Sequence, residues 1–422
     1  MKFTKTKVSY KRTMHEKKLT YKSNILRRLY FAGSLSCAEL SDQINKSLPL
    51  TTKMVNDLLT EGSIIEKGHA PSTGGRRALQ YSLKADTMYI VSVAMDQFVT
   101  RIAVLDMENR YLTGIEKFEL PLSRNSKALS LLAEKIEQVI RGSKVPKEKI
   151  IGIGIGMPGF VDAIKGINYS FLEIDKGSIT EYIEDRLELP VLINNDSSLI
   201  ALAELKFGAA RNRKTAMVIN IGWGIGLGLV LNGELYQGEN GFAGEFSHIP
   251  LFSNNKLCSC GKSGCLETEA SLVVVVSKAE EGIRHGRVST LGKSLLTENF
   301  DQASQAVLSA AEKGDKFAVE LLSEAGYNIG RGVAILIHLL NPETIILSGR
   351  GSSAGKIWQT PIQQALNEHC IPRLAANTEI EVSTFGYTAE LIGAAALVME
   401  NFGKKTNRKV HKEKVSYVGQ PS

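Results

Sequence analysis

Cysteine is scarce in this chain, with five among 422 residues. That is too few for a secreted disulfide framework, and it leaves the thiols to serve as buried side chains or ligands in a reducing compartment. Long apolar runs are missing as well. Nothing approaches the roughly eighteen residues that a membrane-spanning helix requires, and the lysine-rich N-terminus is not followed by the apolar core of a secretory leader. We therefore expect a cytoplasmic protein that does not enter a membrane. Its length allows two or three domains with sizeable cores.

What is present is distributed unevenly. The net charge is +7, yet the first 83 residues carry +9 and residues 403–422 carry +5, so the body between them carries −7. A basic N-terminal part on an acidic body points to a polyanionic partner for that part. Residues 1–18 read as a basic arm, either DNA-contacting or unstructured, and 403–422 as a solvated, disordered basic tail.

Residues 22–33 put Ile25, Leu26, Leu29 and Tyr30 on one side of a helix that stops at Gly33. Ser36 and Glu39 form the signature of a capping box for a second helix. After Pro49 a third helix, about 51–60, buries Met54, Val55, Leu58 and Leu59 and turns Thr51, Thr52, Lys53 and Asn56 outward. Strands at 62–66 and 78–83 flank a glycine-turned loop, 68–77. Three short helices and a hairpin make a winged helix-turn-helix over 19–85. Its third helix would enter the major groove of a double-stranded DNA operator, with Lys53 and Asn56 at base edges and Thr51 or Thr52 at a phosphate. Arg76 and Arg77 of the wing would reach phosphates or the minor groove. The competing reading is a helical protein-interaction module with a charged hairpin.

Three of the five cysteines fall close to one histidine: His248, Cys258, Cys260 and Cys265. Four such donors suit a closed tetrahedral Zn2+ site with no position left for water, so the metal would brace the fold. A disulfide or chance clustering is the alternative, although Cys258 and Cys260 are one residue apart and bridge each other only with strain. Gly261 and Gly264 offer the tight turns that a metal knuckle needs. Cys37 and Cys370 read as ordinary buried thiols. Elsewhere, strand-like runs at 89–94, 101–106, 111–120, 150–156 and 191–195, with a helix over 126–142, imply an α/β lobe with a mixed sheet. A second lobe repeats the theme over 216–231 and again over about 315–399.

Gly156-Met157-Pro158-Gly159, Asn195-Asp196, the glycine-rich stretch 220–244, the His/Cys cluster, the 345–349 run ending at Gly349, and Leu391-Ile392-Gly393 follow one another in an order that resembles the ROK family. This is the group of sugar-responsive repressors, open reading frames and sugar kinases, and the resemblance runs over roughly residues 20–400. It implies a two-lobed actin-like ATPase/sugar-kinase (ribonuclease H-like) fold behind the winged helix, with lobe I over 86–210 and lobe II, carrying the zinc knuckle, over 211–402. It also implies that Gly159, Asn195, Asp196, Glu245, His248 and Glu267 hold a sugar. Asp196 would stand where the family's kinases have their general base, and His248 would serve metal and sugar together.

The family's kinases also carry an Asp-x-Gly-Gly-Thr phosphate turn. Aligned on Arg101 and Asp106, this chain has residues 94–98 there, so that the Asp, both glycines and the Thr are missing. Trp223 occupies the place of a small hydroxylated residue, and residues 348–351 keep a partial likeness to the adenosine-side glycines. We therefore expect no use of ATP. The expected protein is a repressor of carbohydrate genes, a homodimer or tetramer, released from its operator by a sugar or sugar phosphate. The alternatives are a sugar kinase with an appended DNA-binding domain and a regulator sequestered by a protein partner.

Overall fold

One long helix, α1 (Lys2–Ala32), opens the chain in the computed structural model. The structure describes residues 2–69, 77–172, 174, 176–297 and 299–404, with 2–15 described by backbone alone. The helix expected at 22–33 therefore starts much earlier and takes in the basic arm, and Lys18 on it pairs with Asp57 at 2.8 Å. It is followed by β1 (Leu35–Ser36), α2 (Cys37–Ile44) and α3 (Leu48–Thr60). The capping box forms as the sequence implies. Ser36 Oγ accepts the Glu39 amide, and Glu39 Oε2 accepts the Ser36 amide at 2.7 Å. α3 starts three residues before the expected Thr51, because Pro49 in its first turn has no amide to lose there. β2 (Ile64–His69) and β3 (Leu79–Leu83) then pair antiparallel, giving a three-stranded sheet in the order β1-β3-β2. Ile25, Leu29, Leu40, Val55, Leu58 and Ile64 are its buried apolar centre. The expected arm, wing and tail meet this description only in part: Arg76 and 405–422 lie outside the described residues.

The chain divides into two compact units. One holds the residues up to Tyr89, with Asp106–Arg110 and the chain from Val398. The other holds Ile90–Leu105 and Tyr111–Leu397. The second unit begins with β4 (Tyr89–Met95), β5 (Val99–Leu105), β6 (Glu116–Glu119), α4 (Ala128–Ser143), β7 (Ile150–Met157), the short pair β8 (Val161–Asp162) and β9 (Ile167–Asn168), α5 (Ile179–Leu187), β10 (Val191–Asn195) and α6 (Asp196–Phe207). It continues with β11 (Thr215–Ile221), β12 (Ile225–Leu231), β13 (Glu234–Tyr236), α7 (Glu267–Ala270), α8 (Leu272–Arg284), α9 (Phe300–Glu312), α10 (Lys316–Leu340), β14 (Thr344–Ser348), α11 (Lys356–His369), α12 (Pro372–Ala375), β15 (Glu379–Val382) and α13 (Ala389–Asn401).

Its two five-stranded sheets run β10-β7-β4-β5-β6 and β13-β12-β11-β14-β15. With the strands of each sheet numbered along the chain, both have the same order, 3-2-1-4-5, which is the architectural signature of a duplicated lobe. β6 is shorter than the expected strand at 111–120, where only Tyr111 bridges back to Leu105. Among the described residues no helix is long and apolar enough to cross a membrane.

Close packing of α6 fixes the end of β10 that matters below. Gly226 and Gly228 in β12 lie under that helix, where a Cβ would overlap Ser197 Oγ and Ala201 Cβ respectively. Bare backbone lets helix and sheet approach, and the dense interior has no slack to return. Gly228→Ala should therefore cost about 1–3 kcal/mol through overpacking, read as a lowered urea midpoint. Gly142→Ala in α4, where a Cβ meets nothing within 4 Å, should be neutral or gain up to about 1 kcal/mol.

Candidate functional site

β10 is apolar through Ile193 and then delivers Asn195 and Asp196 into an open cavity, the usual place for a site in an α/β sheet. Asn195 caps α6: its Oδ1 accepts the amides of Ser197 at 3.0 Å and Ser198 at 3.2 Å, while its Nδ2 donates to Gly159 O at 3.1 Å. Asp196 Oδ1 accepts the Ser197 amide at 2.8 Å, and Oδ2 accepts Asn220 Nδ2 at 3.2 Å. Burial pushes the Asp196 carboxyl up to about 6. Hydrogen bonds from Ser197 pull against that shift, and the charges of Asp96 and Glu245 add to it.

The cavity encloses about 450 Å³, and Gly159, Asn195, Asp196, Glu245, His248 and Glu267 all line it. Sequence reasoning thus names six residues, from four separate stretches of chain, that the fold brings to one cavity. Phe160 and Phe242 meet edge to face at 5.5 Å on the same lining. Burial also raises the Glu245 carboxyl.

The His/Cys cluster borders this cavity. The ligand atoms of His248, Cys258, Cys260 and Cys265 all lie within 4.8 Å of one another. Cys260 and Cys265 Sγ are 3.7 Å apart, and His248 Nδ1 is 3.5 Å from Cys258 Sγ. Zn–S and Zn–N bonds in a tetrahedron put S···S at about 3.8 Å and N···S at about 3.6 Å, which the Cys260–Cys265 and His248–Cys258 pairs match. None of the five cysteines is paired in a disulfide. Cys37, expected to be buried, is half-exposed. With Nδ1 turned to the thiols, His248 Nε2 faces Glu245 Oε2 at 3.7 Å, and Glu267 Oε1 accepts Ser259 Oγ at 3.3 Å.

The expected phosphate turn needs a correction of register. The β4–β5 turn is Asp96-Gln97-Phe98-Val99-Thr100, so the Asp and the Thr are present and only the two glycines are replaced. The flanking charges Arg101 and Asp106 do not fix the register, because the apolar stretch before Asp96 offers no landmark. Asp96 Oδ1 accepts the amides of Phe98 at 2.8 Å and Val99 at 2.7 Å, which occupies two of the turn's donors. Phe98 stacks on Phe300 at 5.6 Å and meets the edge of Trp223 at 5.3 Å. Beside these rings the Arg350 guanidinium bonds Asp96 Oδ2 at 2.8 Å and pairs with Asp301, which also pairs with Lys117. Arg350 lies over the rings of Trp223 at 4.7 Å and Tyr387 at 4.2 Å. Asp96, Asn220 and Arg350 were not among the expected site residues. Each stands at the end of a strand, beside a turn, and that position was the signal available in the sequence.

Of the expected DNA-contacting residues, Thr52 is half-exposed and Lys53, Asn56 and Arg77 are exposed. Thr51 is not available. It is 0% exposed and its Oγ1 donates to Ser47 O at 3.1 Å. Helical periodicity explains this, since Thr51 precedes the buried Met54, Val55 and Leu58 by three, four and seven residues and shares their face.

A carboxyl raised from its ordinary range costs the folded chain stability above its folded pKa, and that cost fades as pH falls toward the unfolded value. Asp196→Asn should accordingly raise the unfolding midpoint at pH 8, by up to about 3 kcal/mol in stability. The advantage over the parent should shrink between pH 6 and pH 4. An advantage that is flat across that window would contradict the burial of an ionised carboxylate.

Comparison with known proteins places this geometry in a lineage. The ROK family model matches residues 95–401. The chain is 33% identical over 305 residues to a glucokinase of Halalkalibacterium halodurans, covering 69% of this chain and 91% of that protein. It is 27% identical over 368 residues to the N-acetylglucosamine repressor of Escherichia coli O157:H7, covering 87% and 89%. A crystal structure of a ROK family transcriptional regulator, described as a homologue of the E. coli MLC protein, superposes with a TM-score of 0.74 at 25% identity over 94% of this chain and 100% of that one. Coverage of 94% is reached only if the N-terminal unit is included, so the match to the regulator extends over both units. With the family model spanning most of its length, and a curated relative above 30% identity over more than two thirds of it, the chain belongs to the ROK family.

Proposed function

We propose that this protein is a sugar-responsive, DNA-binding transcriptional repressor of carbohydrate-metabolism genes. Its N-terminal unit acts as a winged helix-turn-helix, and α3 presents Lys53 and Asn56 to base edges, with Thr52 and Arg77 at the phosphate backbone. Asn195, Asp196, Glu245, His248, Glu267 and the Gly159 backbone hold the sugar by accepting and donating hydroxyl hydrogen bonds. Zn2+ bound by His248, Cys258, Cys260 and Cys265 would brace the pocket wall and fix the ring of His248. The chain acts as a homodimer or tetramer whose paired DNA-binding units read a two-fold operator. Sugar bound in the cleft favours the arrangement that no longer fits the operator, which requires different sugar affinities in the two states.

One observation carries this reading. A helix face with exposed Lys53 and Asn56, in a basic N-terminal region, shares a chain with a sugar-type cavity whose phosphate turn has its amide donors occupied by Asp96. Retention of Asp196 and of the Asp and Thr of the turn, together with the glucokinase relative, favours a second reading: a sugar kinase with an appended DNA-binding domain.

The test begins by selecting a duplex from a random pool with the purified full chain, then following its affinity by fluorescence anisotropy. Lys53→Ala and Asn56→Ala should each weaken binding by about 1–3 kcal/mol, and at least one monosaccharide should release the duplex. Failure to enrich any duplex, or release indifferent to every sugar, overturns the proposal. Sugar-dependent ATP turnover that vanishes in Asp196→Ala would install the kinase reading instead.

A further inference from the structure

The charge balance of the cleft narrows the class of effector, given the sugar-binding reading above. Two guanidinium groups line the cavity, Arg101 and Arg350, and both are already committed. Arg101 bonds Glu390 at 3.1 Å, donates to Tyr387 O and lies on the Tyr387 ring at 3.4 Å. Arg350 is divided between Asp96 and Asp301. Each of these arginines is 5–6% exposed. On the open side, Asp196, Glu245 and Glu267 face the same space, and neither Lys nor Arg is paired with any of them among the described residues.

Backbone donors are committed in the same way. The amides of Phe98 and Val99 go to Asp96, and those at the start of α6 go to Asn195 and Asp196. The N-terminus of a helix and the amides of a glycine turn are the usual substitutes for a cation in holding phosphate, and here both are filled by the protein's own carboxylate and amide oxygens. A phosphate ester entering this cleft would lose its hydration and meet three carboxylates, with both arginines and the amides of Phe98, Val99, Ser197 and Ser198 already committed elsewhere. Sugar hydroxyls meet the opposite situation, because carboxylate oxygens are strong acceptors for them.

We infer that the effector is a sugar without an ionised phosphate, recognised through its hydroxyls by Asp196, Glu245 and Glu267, and that sugar phosphates are rejected on charge. The selectivity resides in the Asp96–Arg350–Asp301 network, which holds one of the two guanidinium groups of the cavity on the chain's own carboxylates, where it cannot neutralise an ester.

Isothermal titration of the full chain at pH 7.5 tests this with glucose, N-acetylglucosamine and xylose, each against its terminal phosphate ester. At least one free sugar should bind at least a hundredfold more tightly than its own ester. Asp96→Asn, which leaves Arg350 with one carboxylate partner fewer, should narrow that ratio tenfold or more, with thermal unfolding showing the variant to be folded. An ester that binds as tightly as its parent sugar overturns the inference while leaving the sugar site standing. A folded Asp96→Asn with an unchanged ratio overturns the charge account of the selectivity. Absence of binding by all six compounds overturns both this inference and the sugar reading on which it rests.

Discussion

The position of the Arg350 guanidinium governs the cleft of the second unit. Asp96 reaches it from the β4–β5 turn of one sheet, and Asp301 from the first turn of α9 beside the other, so a single cation ties the two sheets together across the cavity. Buried at 6% exposure, such a charge is tolerated only while its partners remain, and removing one partner of a buried pair typically costs about 3–5 kcal/mol. The rings of Phe98, Phe300 and Trp223 wall off the same region with apolar contacts. These side chains crowd the Asp96 end of the cavity, and Asn195, Asp196, Glu245 and Glu267 line the remainder.

That division explains why the open half is held so firmly. Asn195 caps α6 and braces Gly159 with one amide, and Asn220 ties Asp196 to β11. Glycines in β12 let α6 sit against the sheet, so the carboxylate cannot drift. On the opposite wall the knuckle fixes His248 through Nδ1 and leaves Nε2 facing Glu245. A metal held by His248, Cys258, Cys260 and Cys265 would share that imidazole with the pocket, so that the geometry of the first would condition the geometry of the second.

Much of this was legible in the sequence, and for identifiable reasons. The capping box at Ser36 and Glu39 is a local rule and forms as written. The six cavity residues and the four-donor cluster were named because motifs in chain order carried them. Thr51 was misassigned because residues before the first obvious apolar position were read as a polar face, although its spacing to Met54, Val55 and Leu58 places it inside. The phosphate turn slipped in register because strand residues alternate without a marker, and only the hairpin pairing of Met95 with Thr100 fixes Asp96 at its head. Arg350 and Asp301 lie 254 and 205 residues from Asp96, and no local pattern reports a network assembled at that range.

The claim on which the account rests is that the phosphate half of the cleft is shut by the chain's own side chains while the sugar half is open. Titration of magnesium ATP into the full chain, with a bound sugar held at saturation, measures this directly. The account predicts no saturable heat. Stoichiometric binding of the nucleotide at low micromolar concentration would contradict it.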